Sequence, residues 1–565
     1  MKKILSLLLG ILLVTSFGQV IHLNQIGFYP NSPKRAIAVE CDASKFNILD
    51  AEGKVVYKGK LSLEEKWEYS GDNVKAADFS DFTQTGTFTL DIPKFGTSYP
   101  FSIKNNIYSS ALEGTIKGFY YQRASTALEQ KYAGKWERKA GHPDTKVIVH
   151  SSAATGSAPA GSTISSPKGW YDAGDYGKYI VNSGISCYTM LIAYEQFPEL
   201  FNAQHVNIPE SDNDIPDLLD EVKYNLDWML SMQIHSPNTD EDGSVYHKLT
   251  TLNFEGHIAP YKASNQRYVI GRNTEDALNL TAVMSVAYRV FVDYDEVYAK
   301  KCLDAAKQAW DWAIKHNTGA YTNPADVKTG EYGNSDINDN YQWAALELSI
   351  STRDRKYFDQ KPYNINTVGG QWWGNAKALA LNSLVTNFDR QQFFSKEELT
   401  NAIVKLNTPY IEEYLETAYR TSMGHKGKGD FNWGSNSNAA NHGISLIAAY
   451  QITKDKQYLD AALGNVDYLF GKNAVGYCYL TGFGSKPTTN PHHRPSWDDG
   501  IAEPVPGLLA GGPNWEKQDN CENYEGDTPA KSYCDNTCSY ASNEIAINWN
   551  SPLVYLLAAV ETYCK

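Results

Sequence analysis

The sequence predicts a mainly α-helical protein, an α/α toroid preceded by a small all-β sandwich. Up to about residue 104 the chain consists of short β-branched and aromatic runs broken by turn signals, and beyond it long segments repeat apolar residues with helical periodicity. At 565 residues the chain also exceeds what one hydrophobic core serves, so at least two domains are expected.

The chain is read as three parts, 1–19, 20–105 and 106–565. The first, MKKILSLLLGILLVTSFGQ, has a charged start at Lys2 and Lys3, an apolar core from Ile4 to Val14 and a small-residue exit near Gly18, the pattern of a secretory signal peptide. Its apolar run is short for a bilayer, and no later stretch is long and uncharged enough, so a secreted protein (extracellular or periplasmic) without a membrane span is expected. In 20–105 the runs RAIAVE, KFNILDA, KVVYKG, GTFTLDI and YPFSI lie between turns such as AEGK around Gly53, which suggests an antiparallel sandwich of about the immunoglobulin type. It holds no cluster of catalytic groups and is read as structural or docking.

In 106–565 helices are expected at 108–131, 180–196, 213–234, 275–294, 295–316, 339–352, 372–386, 396–418, 437–453, 456–470 and 547–563. Asn213 to Pro216 precede one periodic run, and Ser395 followed by Glu397 and Glu398 opens another, both capping signals. Antiparallel helices joined by long Gly- and aromatic-rich loops make a toroid whose function lies in the loops at one end.

Net charge is −14 with no Lys/Arg block, which argues against nucleic acid and favours a neutral ligand. The 38 Tyr and 13 Trp suit stacking on sugar faces, although ordinary packing accounts for most of them. Of the eight cysteines, only Cys521, Cys534 and Cys538 cluster, in a loop-like stretch whose spacing is not that of a zinc knuckle; export permits disulfides, and spacing leaves the pairing open.

Three segments carry candidate chemistry. GWYDAGDYGKYIVNSG, Gly169 to Gly184, sets Asp172 and Asp175 three residues apart in a Gly-rich turn, where both side chains can face one water molecule; Trp170, Tyr171, Tyr176 and Tyr179 could wall the site. The bland alternative is a cap-and-turn motif. SYASNEIAINWNSPLVYLLAAV, Ser539 to Val560, places Glu544 where a polar loop meets an apolar helix. There it is either a desolvated proton donor or an ordinary first-turn Glu favoured by the helix dipole. LTGFGSKPTTNPHHRPS, Leu480 to Ser496, offers His492, His493 and Arg494 as donors for sugar hydroxyls; a metal site there lacks a third ligand.

These segments, in this order, resemble the signatures of family 9 glycoside hydrolases, the (α/α)6-barrel cellulases with an N-terminal immunoglobulin-like domain. IHLNQIGFYPNSPKRAIAV and FNWGSNSNAANHGISLIAAYQITKDKQYLDAALGNVDYLFGKN resemble the same family, so the likeness covers nearly everything after the signal peptide. The resemblance implies Asp175 as general base, Asp172 holding the attacking water and Glu544 as general acid. It also implies sugar contacts from His492, Arg494 and the aromatic Trp549; Tyr176, among the rings flanking the aspartates, is a further candidate from the residues themselves. The implied function is a secreted, inverting endo-β-1,4-glucanase acting on cellulose or a related β-glucan, a monomer with no cofactor in its chemistry. Rival readings are an exo-acting β-glucosidase or glucosaminidase of the same fold, a noncatalytic glycan-binding protein, and a structural adhesin. The family's structural zinc is not expected, because the segment after the first barrel helix has no cysteine and keeps only His142, Asp144 and His150. Calcium, frequent in the family, is placed at Ser335, Asp336 and Asp339, where Asn340 replaces an acidic residue.

Overall fold

The computed structural model describes residues 21–564; the signal-peptide reading of 1–19 lies outside them. The N-terminal part is a sandwich of two sheets. One pairs Ile21–His22, Arg35–Val39, Asn73–Asp78 and Glu65–Lys66 in that order. The other runs Gly27–Phe28, Phe101–Ile103, Gly86–Ile92, Lys45–Leu49, Val55–Lys60, with Gly96–Thr97 beside Gly86–Ile92. Period-two alternation sends Phe46, Ile48, Phe88, Leu90 and Ile92 inward, where they join Phe28, Phe79 and Phe101 in a core separate from that of the helices. The AEGK turn forms at Gly53, whose φ of 78° suits a residue without a Cβ.

Of the described helices, twelve build the barrel: α1 Ser109–Tyr121, α2 Ile180–Gln196, α3 Asp217–Ser231, α4 Thr274–Phe291, α5 Glu296–Ala313, α6 Asn338–Thr352, α7 Lys356–Gln360, α8 Lys377–Thr386, α9 Lys396–Glu416, α10 Ser435–Thr453, α11 Lys456–Leu469 and α12 Ile547–Tyr563; Gln130–Ala133, Pro198–Asn202, Arg494–Trp497 and Tyr540–Asn543 are short helices in the connections. The even-numbered helices pack each against the next, α2, α4, α6, α8, α10 and α12, and α12 returns to α2; each odd-numbered helix lies outside a neighbour. This closed double ring is an (α/α)6 barrel. Position in the ring explains the burial pattern. Inner α2 is buried along nearly its whole length, whereas outer α5 buries only one stripe.

The structure amends several sequence-derived boundaries. The first barrel helix stops at Tyr121 instead of running to 131, because Arg123 turns away to pair with Trp170 and Ser125 takes φ 65°. The helix expected from 372 begins at Lys377, after a tight turn between Trp372 and Asn375. The short α7 has too few residues for its periodicity to register. Ser395 caps α9 as expected, in a full capping box with Glu398. A five-stranded sheet, Thr163–Ile164, Val147–Val149, Tyr268–Arg272, Tyr246–Thr250, Lys178–Tyr179, was not foreseen; it lies at the barrel's open end and holds the chain just before α2.

The sandwich is bonded to the barrel through buried polar contacts. Glu561 on α12 accepts a hydrogen bond from the Tyr29 hydroxyl (2.6 Å), and Asp467 on α11 accepts one from Asn24 (2.9 Å). No described helix is long and apolar enough to cross a membrane.

Candidate active site

The inner helices begin at one end of the barrel, and the residues just ahead of α2 and α12 meet there. The turn before α2 is anchored at its start by Trp170, whose indole donates to Glu221 (2.8 Å), itself paired with Arg123 (2.9 Å). The Asp172 amide then donates to the Gly177 carbonyl (3.0 Å), closing the turn on itself. The Asp172 carbonyl accepts the amide of Ile547, the first residue of α12, at 2.9 Å. Two segments far apart in sequence are thereby fixed to each other by backbone. Gly174 is required at the centre, since a Cβ there would lie 2.1 Å from the His492 carbonyl oxygen.

Glu544 is not a first-turn helical residue. Its backbone is extended, it precedes α12 by three residues, and it pairs with His492 in a short bridge while its carbonyl accepts the Gly511 amide (2.8 Å). Its side chain, only partly open to solvent, accepts the Gly174 amide. Desolvation, reinforced by the charge of Asp175, holds its pKa well above the usual carboxylate range against the opposing pull of Arg494. The helix-dipole reading of this residue is thus replaced by a desolvated carboxyl whose protonated form is favoured.

The two aspartates differ. Asp172 is 2% exposed; one oxygen accepts Asn182 Nδ2 and the other the Tyr332 hydroxyl, each at 2.6 Å. Burial and the neighbouring Asp175 push its pKa up to about 7. Asp175 accepts one hydrogen bond at Oδ2, from the Gly177 amide (2.9 Å), and its Oδ1 makes none among the described residues. Tyr332 reaches Asp172 from a backbone at φ 51°, a conformation costly for an aromatic residue and sustained by the surrounding loop.

The other predicted residues are divided by the structure. His492 donates Nδ1–H to the Thr537 carbonyl (2.6 Å), which assigns the tautomer and leaves Nε2 as an acceptor; burial lowers its pKa to about 4, keeping the ring neutral. His493 is structural, bridging Ser496 (2.8 Å) and Gln122 (2.9 Å). Arg494 donates Nε to the Glu255 carbonyl (3.0 Å) and Nη1 to that of Gly174 (2.8 Å), bracing the Asp172–Asp175 turn, while Nη2 makes no hydrogen bond among the described residues. Trp549 is 8% exposed, with its ring against Gly434 and Gly511. Tyr176 requires a correction: it is 3% exposed, packs on Tyr171 and His142, and donates its hydroxyl to the Ile258 carbonyl, so it holds the turn from beneath and presents no face to a sugar.

Sequence reasoning missed the aromatic rims. Trp497 (56% exposed) packs on His257, which meets His492 edge-on. From Asp172 a line of rings runs through Tyr332 and Trp373 to Trp372, which is 49% exposed. Trp433, 44% exposed, packs on Tyr540. The available signal was tryptophan within Gly-rich loop text, as in VGGQWWGN.

The residues left in the segment where the resemblance would put a structural zinc are engaged within the protein. Asp144 is paired with Lys178 Nζ (2.8 Å) and Arg267 Nε (3.1 Å), and His142 bonds the Tyr171 hydroxyl (2.8 Å) with its pKa lowered to about 2 by burial and Arg267. His150 is engaged with Ser152 and Asp326. These residues do not fit a metal ion.

Around the residues where calcium is expected, exposed and buried oxygens differ in their partners. Ser335 and Asp336 are exposed, and Asp336 Oδ1 accepts the Asn338 amide (3.0 Å). Asp339 Oδ2 accepts the Ala376 amide (2.7 Å), while Asp339 Oδ1, Asn340 Oδ1 and Glu275 Oε1 are buried with no hydrogen-bond partner. Glu275, unforeseen here, has its pKa raised to about 8 by burial, Asp276 and Asp339. Orphaned buried oxygens of this kind suit a hard cation that takes six to eight oxygen ligands. Calcium at 100 times its Kd is expected to stabilise the protein by about 2.7 kcal/mol, read as a rise in Tm of several degrees that chelation reverses. Asp339→Ala should lose that response, and an unchanged Tm in wild type would remove calcium from this site.

Residues 108–557 match the family model described as Glycosyl hydrolase family 9, and residues 16–97 match that described as Cellulase N-terminal ig-like domain. The chain is 42% identical to a xyloglucan-specific endo-beta-1,4-glucanase of Bacteroides ovatus, over 96% of this chain and 93% of that relative. It is 32% identical to endoglucanase D of Acetivibrio thermocellus, over 97% and 84% of the two chains. A solved structure of a Bacteroides ovatus GH9 protein superposes with a TM-score of 0.89 at 40% identity, covering 97% of this chain and 99% of that one.

Proposed function

The chain belongs to glycosyl hydrolase family 9, and from that premise we propose that it is a secreted, inverting endo-β-1,4-glucanase with Asp175 as general base and Glu544 as general acid. The observation that carries the reading is the Glu544 carboxyl, enclosed beside the aspartate turn, its protonated form favoured by desolvation. Asp175 offers the free oxygen a base needs, and Asp172, with both oxygens already bonded, is poorly suited to that task. It orients the water and the turn instead.

In this mechanism Asp175 takes a proton from a water that attacks the anomeric carbon. Glu544 gives its proton to the departing glycosidic oxygen, and the C–O bond breaks as the new one forms from the opposite face. His492 Nε2 accepts from a sugar hydroxyl beside the scissile bond, and the exposed tryptophans on either side stack on the flanking sugars. Rims on both sides of the acid pair favour cleavage within a chain over release of single terminal units.

The Bacteroides ovatus relative is described as xyloglucan-specific, so a branched β-1,4-glucan stands beside cellulose as the substrate to test. Secretion rests on the signal-peptide pattern of residues 1–19. The decisive experiment is anomer-resolved NMR of products from cellohexaose and from xyloglucan oligosaccharides. Internal cleavage with the α-anomer formed first is expected. A β-anomer would overturn inversion, release of terminal glucose alone would overturn the endo mode, and no cleavage of either substrate would overturn the substrate class.

A further inference from the structure

The loop between α9 and α10 contains TSMGHKGKGDFNW, Thr421 to Trp433, of which the reaction uses nothing beyond the rim residue Trp433. Two of its side chains, His425 and Asp430, converge on His442 of α10, and the ligand-capable atoms of all three lie within 4.8 Å of one another. The site is enclosed, with side-chain exposures of 6% for His425 and 1% for Asp430. His425 Nδ1 is 2.7 Å from Asp430 Oδ2, yet the approach is misaligned for a hydrogen bond and the nitrogen is buried without one. Asp430 Oδ2 is held in place by the Gly424 amide (2.9 Å) and the Lys426 amide (3.2 Å).

His442 is oriented from behind. Its Nδ1 meets Ser422 Oγ at 2.9 Å, and that hydroxyl accepts from Asn465 Nδ2 (2.9 Å) and donates to Asn465 Oδ1 (3.2 Å). With Ser422 giving its one proton to Asn465 Oδ1, the contact is made by the His442 tautomer protonated at Nδ1, and that tautomer leaves at Nε2 a lone pair with no hydrogen-bond partner among the described residues. An outer hydrogen bond that fixes the tautomer and leaves the other nitrogen bare is how metal-binding histidines are prepared. Tyr410 stacks on His442 at 4.2 Å between ring centres and meets His425 edge-on at 4.7 Å, setting both ring planes.

We propose that His425, Asp430 and His442 bind a divalent ion of the zinc class, which pins the α9–α10 loop to the inner helix α10. Two imidazole nitrogens and one carboxylate oxygen are a zinc donor set, with water as fourth ligand, and they are a poor set for calcium or magnesium. Ligands about 2.1 Å from a tetrahedral centre stand roughly 3.4 Å apart, a value between the 2.7 Å of the closest pair and the 4.8 Å limit. Three residues past Asp430 the same loop presents Trp433, packed on Tyr540, whose ring faces His492 at 6.0 Å. The ion therefore braces the segment that forms one rim of the cleft. It stands apart from Asp175 and Glu544 and does not depend on their roles.

The test uses tag-free, full-length protein stripped by chelator and reloaded with zinc under saturating calcium, so that the oxygen-lined site stays constant. One zinc per chain by elemental analysis and a zinc-dependent rise in Tm are expected. Cobalt(II) in place of zinc should give the strong visible absorption of a four-coordinate site. His425→Ala should weaken zinc binding by more than the roughly 10–100-fold typical of losing an outer-shell partner, with the Tm of zinc-free wild type retained. His425→Gln serves if the alanine variant does not fold. Anomalous diffraction at the zinc edge locates the ion without any variant. Absence of zinc at equimolar loading, equal zinc retention in the His425 variants, or an anomalous peak elsewhere would each overturn the proposal.

Discussion

Asp175→Asn is expected to abolish hydrolysis of β-glucan and of an activated aryl cellobioside alike. The loss should be at least the roughly 10²–10⁴-fold that general base catalysis contributes, because water attack is needed whatever the leaving group. Folding should survive, since among the described residues the side chain accepts a hydrogen bond only from the Gly177 amide, at 2.9 Å, which an asparagine oxygen can also take. Oligosaccharide binding measured by calorimetry should persist, so the variant separates binding from chemistry. Retention of more than a few per cent of wild-type activity would return the role of base to Asp172.

Glu544→Gln is expected to split the two substrates. A sugar alkoxide is a poor leaving group and needs the proton of Glu544; an aryl group with a low pKa departs without it. Cleavage of cellohexaose should therefore disappear, while a measurable part of the aryl cellobiosidase activity remains. The sign of the pH effect follows from the raised pKa. Wild-type activity is present while Glu544 is protonated and falls as pH rises through its folded-state value, so the basic limb of the profile should vanish in the variant. A carboxyl whose folded-state pKa is raised stabilises the native state at pH below its unfolded value, and that contribution is lost as pH rises through the folded one. Glu544→Gln should accordingly flatten the decline of Tm on the alkaline side. Equal losses on both substrates, with an unmoved basic limb, would mean that another group is the acid.

Much of the architecture was legible because it repeats. Period-two runs marked the sandwich and period-3.6 runs marked eleven of the twelve barrel helices; α7 escaped because Lys356–Gln360 is too short to show a period. The small sheet at the open end escaped because its strands are two to five residues long and pair across large sequence separations, as Lys178 does with Leu249 and Ile148 with Tyr268. The Cys521–Cys538 pairing, with Cys534 left beside it, is a matter of proximity that spacing could not decide.

For the site, the sequence by itself determined which groups are available: two aspartates at fixed spacing in a glycine turn, a glutamate ahead of an apolar helix, and a His-His-Arg loop. Those identities are covalent facts, and their order along the chain marks the family. What each group can do was decided only by tertiary structure, because protonation and exposure depend on neighbours remote in sequence. Burial and the nearby charge of Asp175 favour the protonated form of Glu544. Asp172 is set apart from Asp175 by Asn182 and Tyr332. Tyr176 packs beneath the turn where a sugar platform was expected, and Asp144 is paired with Lys178 and Arg267. Desolvation and charge pairing act through space, over a few ångströms, between residues that the linear chain places from ten to several hundred positions apart.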